Sequence, residues 1–190
     1  MNKGLLVVLS GPSGVGKGTV LKYFIDKPEL KLAYSISVTT RKKRPGEVEG
    51  KNYFFVSKEK FDNAVKNGEM LEYAEFVGNY YGTPLSCVEE LRSAGKNVLL
   101  EIEVQGCTQV KNKCSDAITI FLAPPNMEEL ERRIRGRNTE PEEIVQQRLE
   151  KANREMEMLR EYKYVVCNED PELAAEIISV IIERHMKKNN

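Results

Sequence analysis

The sequence of 190 residues predicts an α/β fold, a parallel five-stranded core interrupted by a small mixed insertion. Three observations carry that expectation. Short apolar runs alternate with stretches of helical periodicity, as in strands joined by crossover helices. The first run, residues 5–9, passes directly into the glycine-rich segment GPSGVGK at 11–17. Between residues 33 and 95 the runs become short, aromatic and alternating, which marks a separate small unit inside the core.

Taken in order, residues 5–9 (LLVVL) read as a strand buried on both faces. After Lys17 the apolar residues Val20, Leu21, Phe24 and Ile25 recur at helical spacing. Residues 34–38 alternate Ser35 and Ser37 with Ile36 and Val38, so a half-buried strand is expected there, the second of the core. TTRKKRPGEVEGK at 39–51 is polar and rich in breakers and must be a loop. Residues 53–56 are aromatic and β-branched, hence a strand. Ser57 suits the cap of a helix over 58–67 that Gly68 stops. Residues 70–77 read as a strand, NYYG at 79–82 as a turn, and Thr83-Pro84 as N-cap and first residue of a helix ending at Gly95.

The core resumes with a strand at 98–102 and a helix around Gln109. A strand at 118–122 is stopped by Pro124-Pro125, and Asn126 can cap a helix carrying Met127, Leu130 and Ile134 and ending near Gly136. RGRNTEPEE at 135–143 is a surface loop. From Glu142 a long helix carries Val145, Leu149, Ala152, Met156 and Leu159 on one stripe, a core-packing face. A last strand at 164–167 and a helix with Leu173, Ile177, Ile178, Ile181 and Ile182 close the chain, with a frayed tail from His185. The five core strands are expected to start near residues 5, 34, 98, 118 and 164.

Composition narrows the function. Apolar residues make up 41% and charged residues 31%, with zero formal net charge, so no global electrostatic attraction to nucleic acid or an acidic membrane exists. No apolar run approaches a membrane span, and the first strand leaves no room for a leader, so a cytoplasmic protein is expected. Cys87, Cys107, Cys114 and Cys167 lack metal or redox spacing and are expected as reduced thiols. The one histidine, His185, reads as an exposed helix-end residue, so chemistry built on histidine is not expected.

A strand, a glycine loop and a helix start form a polyphosphate cradle. Glycines let the backbone curl with its N–H groups inward, and the helix N-terminus adds a positive end. GPSGVGK matches the first seven positions of G-x-x-x-x-G-K-[ST], with Gly18 at the last and the hydroxyl one residue later at Thr19. In a parallel sheet, ligands sit beyond the C-terminal strand ends. The loop, Ser37, Glu101, Glu103 and Asn168 all lie at such ends and should converge. The insertion adds Arg41 and Arg44, three apart, with Tyr53, Tyr80 and Tyr81: arginine forks and phenols suit a second phosphate group.

SGPSGVGKGT, SISVTTRKKRPGEVEGKNYFFVS, EYAEFVGNYYGTP, LEIEVQG and RGRNTEPEE, in this order, resemble guanylate kinases, and the resemblance covers residues 6–170. It implies a single domain of 190 residues: a P-loop kinase core (1–32, 96–125 and 163–190), an acceptor-binding insertion (33–95) and a helical lid with flanking helices (126–162). It implies transfer of the γ-phosphoryl group of MgATP to GMP, by a monomer or homodimer with no nucleic-acid or membrane partner. On the ATP side the resemblance implies the loop residues Gly11, Pro12, Ser13, Gly14, Val15 and Gly16, then Lys17, Gly18 and Thr19. Arg133 and Arg137 of the lid and Asn168, as an adenine contact, complete that side. On the GMP side it implies a phosphate clamp of Arg41, Arg44, Tyr53 and Tyr81. The guanine readers are Ser37, Glu72 and Thr83, with Glu103 and Arg148 nearby. Glu72 can accept two parallel bonds from guanine N1–H and its amine, while a hydroxyl at Thr83 can donate to O6. Lys17, Arg41, Arg137 and Arg148 are the expected catalytic residues. Mg²⁺ is expected to arrive with ATP, with no certain protein ligand and with Thr19 and Glu101 as candidates.

Overall fold

A computed structural model describes residues 2–76, 78–136 and 141–189. Its main sheet has five parallel strands in the order β2-β7-β1-β8-β9. These are β1 Leu6–Ser10, β2 Leu32–Tyr34, β7 Asn97–Glu101, β8 Ile118–Ala123 and β9 Tyr164–Cys167. β1 and β8 are buried along their whole length, because helices cover both faces of the sheet and leave no side for polar residues. One face packs Val7, Leu9, Leu99 and Ile120 against Val20, Ile134, Ala152 and Ile178. The other packs Leu6, Val8 and Leu100 against Val88, Cys107 and Val110. Each fully buried side chain of this kind contributes about 1.5–3 kcal/mol.

The second sheet, order β4-β3-β6-β5, is the insertion. It holds β3 Val38–Thr39, β4 Phe54–Phe55, β5 Met70–Phe76 and β6 Asn79–Pro84. Here the structure departs from the sequence reading in three places. Residues 34–38 are not one core strand. β2 ends at Tyr34, Ser35 N–H still donates to Leu99 O at 3.1 Å, and the chain then crosses to β3, which pairs with β4 and β6. NYYG is not a turn but the start of β6, antiparallel to β5, with the reversal supplied by Gly78 at φ +69°. Thr83-Pro84 ends that strand and does not open α3 (Leu85–Ser93), whose N-cap position, Pro84, offers no side-chain bond.

Other expectations hold or are adjusted. Ser57 caps α2 (Lys58–Lys66) by accepting from Lys60 N–H. Asn126 caps α5 (Met127–Arg135) by accepting from Glu129 N–H at 2.8 Å. α4 is Val104–Lys113 and α6 is Glu142–Glu157. α1 is only Lys17–Leu21, and the next residues tighten into i→i+3 turns that still deliver Phe24 to the core. The tail is not frayed: α7 runs from Pro171 to Asn189, whose amide donates to Lys3 O at 2.8 Å. His185 is half-buried and shares a hydrogen bond with the Tyr164 hydroxyl at 2.9 Å, which removes it as an exposed end residue. All four cysteines are free thiols. No helix among the described residues is long and apolar enough to cross a membrane.

Candidate active site

β1 ends at Ser10 and releases the chain into the glycine loop. Gly14 and Gly16 take positive φ, +88° and +98°, a conformation L side chains rarely adopt. Space enforces the same choice, since a Cβ on Gly14 would stand 2.6 Å from Ile134 Cγ1. Gly16 is the N-cap of α1, so the loop delivers its amides to a helix N-terminus. Val15 is fully buried and plugs the loop onto the core.

Side chains from distant parts of the chain hydrogen-bond to this loop. Asn168 Nδ2 donates to Val15 O at 2.7 Å, and Arg133 Nη1 donates to the same oxygen at 3.2 Å. Arg133 Nη2 also reaches Asn168 O at 3.0 Å, while its Nε pairs with Glu129. Arg148 Nη2 donates to Ser13 Oγ at 2.9 Å. Lys17 Nζ folds over the loop onto Gly11 O at 2.7 Å. Thus Arg133 and Asn168 converge on residues 11–17, as expected, and so does Arg148, which was expected beside the GMP site. Asn168, however, is 1% exposed and spends its amide donor on the loop, so it shapes the cradle rather than offering an open adenine surface. Gly18 and Thr19 lie exposed on α1. Arg137 falls outside the described residues.

Opposite the loop lies a cavity of about 350 Å³. Lys17 lines it from the loop, Ser37, Arg41, Arg44, Tyr53 and Tyr81 line it from the insertion, and Glu72, Glu101 and Glu103 also stand on its wall. Arg41 sits 5.4 Å above the Tyr53 ring, and Tyr53 meets Tyr81 edge-on at 5.9 Å. Arg41 is also held by Glu47 through two bonds, of 2.6 and 3.0 Å. Glu47 additionally accepts from Arg44 N–H at 2.8 Å. The Glu47 carboxylate therefore presents to Arg41 the bidentate geometry that a phosphate would. Arg41 first, then Arg44 N–H, hold the Glu47 carboxyl below the usual carboxylate range.

Glu72 stands on β5 directly across from Thr83 on β6. It is 4% exposed, and its Oε1 accepts from Thr83 Oγ1 at 2.6 Å. Burial pushes its carboxyl up to about 7, partly offset by the Thr83 bond and reinforced by nearby Glu103. Thr83 has one proton and gives it to Glu72. It is itself 1% exposed, so it orients the carboxylate rather than facing the base. Burial pushes the Glu103 carboxyl up as well, but Lys17 and Lys151 outweigh it and hold the group below the usual range. Lys151 Nζ donates to Glu103 Oε2 at 2.7 Å and lies 3.5 Å from the buried Glu155. Arg148, Lys151 and Glu155 share one face of α6, which thereby touches both the phosphate loop and Glu103. Glu101 accepts from the Tyr34 hydroxyl at 3.3 Å.

Tyr34, Glu47 and the Lys151–Glu155 pair escaped the sequence reading. Glu47 had a local signal, an acid three residues after Arg44 in a basic loop. Tyr34 and Lys151 carry no such signal, because their partners are contributed by the fold. The site can grip a polyphosphate on backbone amides and hold a second phosphate on arginines, with a carboxylate beyond for a hydrogen-bond-donating base edge.

Comparison with known proteins decides the family: the model described as guanylate kinase matches residues 3–185. The chain belongs to the guanylate kinase family. It is 55% identical over 181 residues to the guanylate kinase of Streptococcus thermophilus strain CNRZ 1066, covering 95% of this chain and 87% of that one. Identity and coverage are the same with the guanylate kinase of Streptococcus agalactiae strain NEM316. The crystal structure of guanylate kinase from Anaplasma phagocytophilum superposes with a TM-score of 0.76 at 37% identity, covering 97% of this chain and 87% of that one. The P-loop core with its inserted second sheet is therefore the guanylate kinase fold, and the chain is a nucleotide-binding phosphotransferase.

Proposed function

We propose that this chain transfers the γ-phosphoryl group of MgATP to GMP, giving ADP and GDP, and that it accepts dGMP as well. Its cellular role is then guanine nucleotide recycling, which is essential, in the cytoplasm, as a monomer or homodimer. The observation that carries the reading is the shared cavity: Lys17 of the phosphate loop and Arg41, Arg44, Tyr53 and Tyr81 of the insertion line one space together with Glu72. A phosphate between the arginines would stand beside the loop that holds the donor.

The reaction is a direct in-line displacement. A phosphate oxygen of GMP attacks the γ-phosphorus, and the bond to the bridging β–γ oxygen breaks as ADP leaves. An ionised phosphate oxygen needs no base, and His185, bonded to Tyr164 on the core, is not needed. Lys17, Arg41 and Arg148 neutralise charge around the transferred group, and Arg137 is assigned to the same task. The loop of residues 11–16 holds the donor phosphates through its N–H groups other than those of Pro12, which has none, and Val15, which donates to Pro12 O at 3.2 Å; Gly18 and Thr19 at the start of α1 join them, and Arg133 supports them. Asn168 acts by fixing the loop.

Glu72, once ionised, accepts from guanine N1–H and the amine, with Ser37 and Glu103 at its side. Adenine offers neither donor there and would leave a buried charge unpaired, a cost of about 1–3 kcal/mol or more. Mg²⁺ enters as part of the substrate and spreads the charge of the β- and γ-phosphates. The cation would be ligated mainly by phosphate and water, with Glu103, Glu101 or Thr19 supplying an oxygen at most.

A coupled assay of ADP release, with ATP and GMP, dGMP, AMP, UMP or dTMP in turn, tests the assignment. GMP and dGMP should support turnover and the others should not. Turnover with AMP or a pyrimidine at the GMP rate would refute it.

A further inference from the structure

The glycine that ends the segment LEIEVQG does not serve a turn. Gly106 lies inside α4 with a helical backbone open to any residue, and alanine is the better helix former at such a position. It is buried, and what it faces is Glu72. A Cβ built on Gly106 would stand 2.3 Å from Glu72 Oε2, 3.1 Å from Cδ and 3.4 Å from Cγ. The other glycine within a helix, Gly18, has nothing within 4 Å. The Glu72 carboxylate is thus caught between two walls. Thr83 on β6 holds Oε1 by its hydroxyl, and the bare backbone of Gly106 receives Oε2.

We propose that Gly106 is a positioning residue for acceptor specificity, its missing side chain making the recess on α4 in which the Glu72 carboxylate stands ready for the guanine edge. This rests on the functional reading above. An added methyl cannot be relieved by moving α4 outward, because Cys107 and Val110 next to it are 1% and 0% exposed and fixed in the core. The carboxylate is the movable partner, being the end of a flexible side chain. Its displacement swings the acceptor oxygens away from a planar, two-donor target whose recognition needs both. The loss therefore falls on guanine recognition and leaves both the fold and the ATP side intact.

The test is Gly106→Ala in the full chain, with Glu72→Asp and the double variant. Thermal midpoint, KM for ATP, and kcat/KM for GMP and AMP are measured on each. Gly106→Ala should melt at or above the wild-type temperature and keep its KM for ATP within about twofold. Its kcat/KM for GMP should drop by about 10–100-fold, with a matching fall in preference for GMP over AMP. In the Glu72→Asp background the retracted carboxylate leaves room for the methyl, so the same substitution should cost less than about threefold there. Gly106→Ala with unchanged GMP kinetics would overturn the inference. So would equal losses in both backgrounds, or a variant that fails to fold, since each places the effect outside Glu72. A wild-type chain that releases no ADP on addition of GMP is a different failure, that of the functional reading.

Discussion

The two halves of the site are built from different material. The phosphate loop is backbone: glycines at positive φ shape it, and Asn168, Arg133 and Arg148 hold it by hydrogen bonds. The proposed acceptor cup is side chain, and its polar members already have partners: Arg41 on Glu47, Glu72 on Thr83, Glu101 on Tyr34. A backbone cradle binds any polyphosphate and reads no base. A cup of pre-paired side chains costs little to keep organised when empty, and it discriminates, because a ligand lacking the right donors leaves a buried group unpaired. Transfer power should therefore reside in the loop and choice of substrate in the cup.

The largest effect that could break this division comes from Lys17. Lys17→Ala should lower turnover by about 10³-fold or more while GMP affinity, read by calorimetry, changes less than about threefold. An equal loss of GMP affinity would merge the two halves into one. Glu72→Ala should do the reverse, raising KM for GMP by about 100-fold with KM for ATP unchanged and the preference for GMP over AMP largely gone. Unchanged discrimination would remove Glu72 as the reader.

The pH dependence sharpens the contrast. Burial lifts the Glu72 carboxyl to about 7 in the folded chain, above its ordinary 4.5. The folded state binds the proton more tightly, so stability from this group falls as pH rises from about 4.5 to about 7 and is level above that. Acceptor binding runs the other way. Below about 7 the carboxyl is protonated and cannot accept both guanine donors, so KM for GMP should rise as pH falls through that value. KM for ATP should not follow. The GMP phosphate itself titrates near pH 6, by analogy with other phosphate monoesters, and Glu72→Gln separates the two by removing only the protein's share. A Glu72→Gln variant with the wild-type pH profile would assign it all to the nucleotide. The smallest effect belongs to neither half. Asn126→Ala removes the α5 cap and should cost about 1 kcal/mol of stability in chemical denaturation, leaving the GMP preference unaltered.

The same contrast explains what could be read from the sequence. The phosphate loop is local: one strand, seven residues and a helix start carry it, so GPSGVGK declared it outright. The clamp residues Arg41, Arg44, Tyr53 and Tyr81 were legible because their types suit a phosphate, and the fold does bring them to one cavity. What each one touches was not. Tyr34 on Glu101 and Lys151 on Glu103 are pairs joined by tertiary structure, 67 and 48 positions apart in the chain, while Glu47 on Arg41 is a contact within one loop. Thr83 was read as a helix cap because Thr-Pro is a good cap signal, yet cross-strand pairing with Glu72 prevailed. NYYG looked like a turn from its Asn and Gly, while β5 alongside made it a strand. The alternation of residues 34–38 misled, since the chain changes sheets there and burial does not follow it: Ser35 is buried while Ile36 is only partly so.

The most direct test of two facing pockets is a ligand that fills both. An adenosine and a guanosine joined by a chain of five phosphates, titrated into the protein by calorimetry, should compete with ATP and with GMP. It should bind at least about 100-fold tighter than either alone, as linked ligands do when the linker spans their sites. Binding no tighter than the better single nucleotide, or competition with only one of them, would show that the loop and the cup do not face each other across a common cleft.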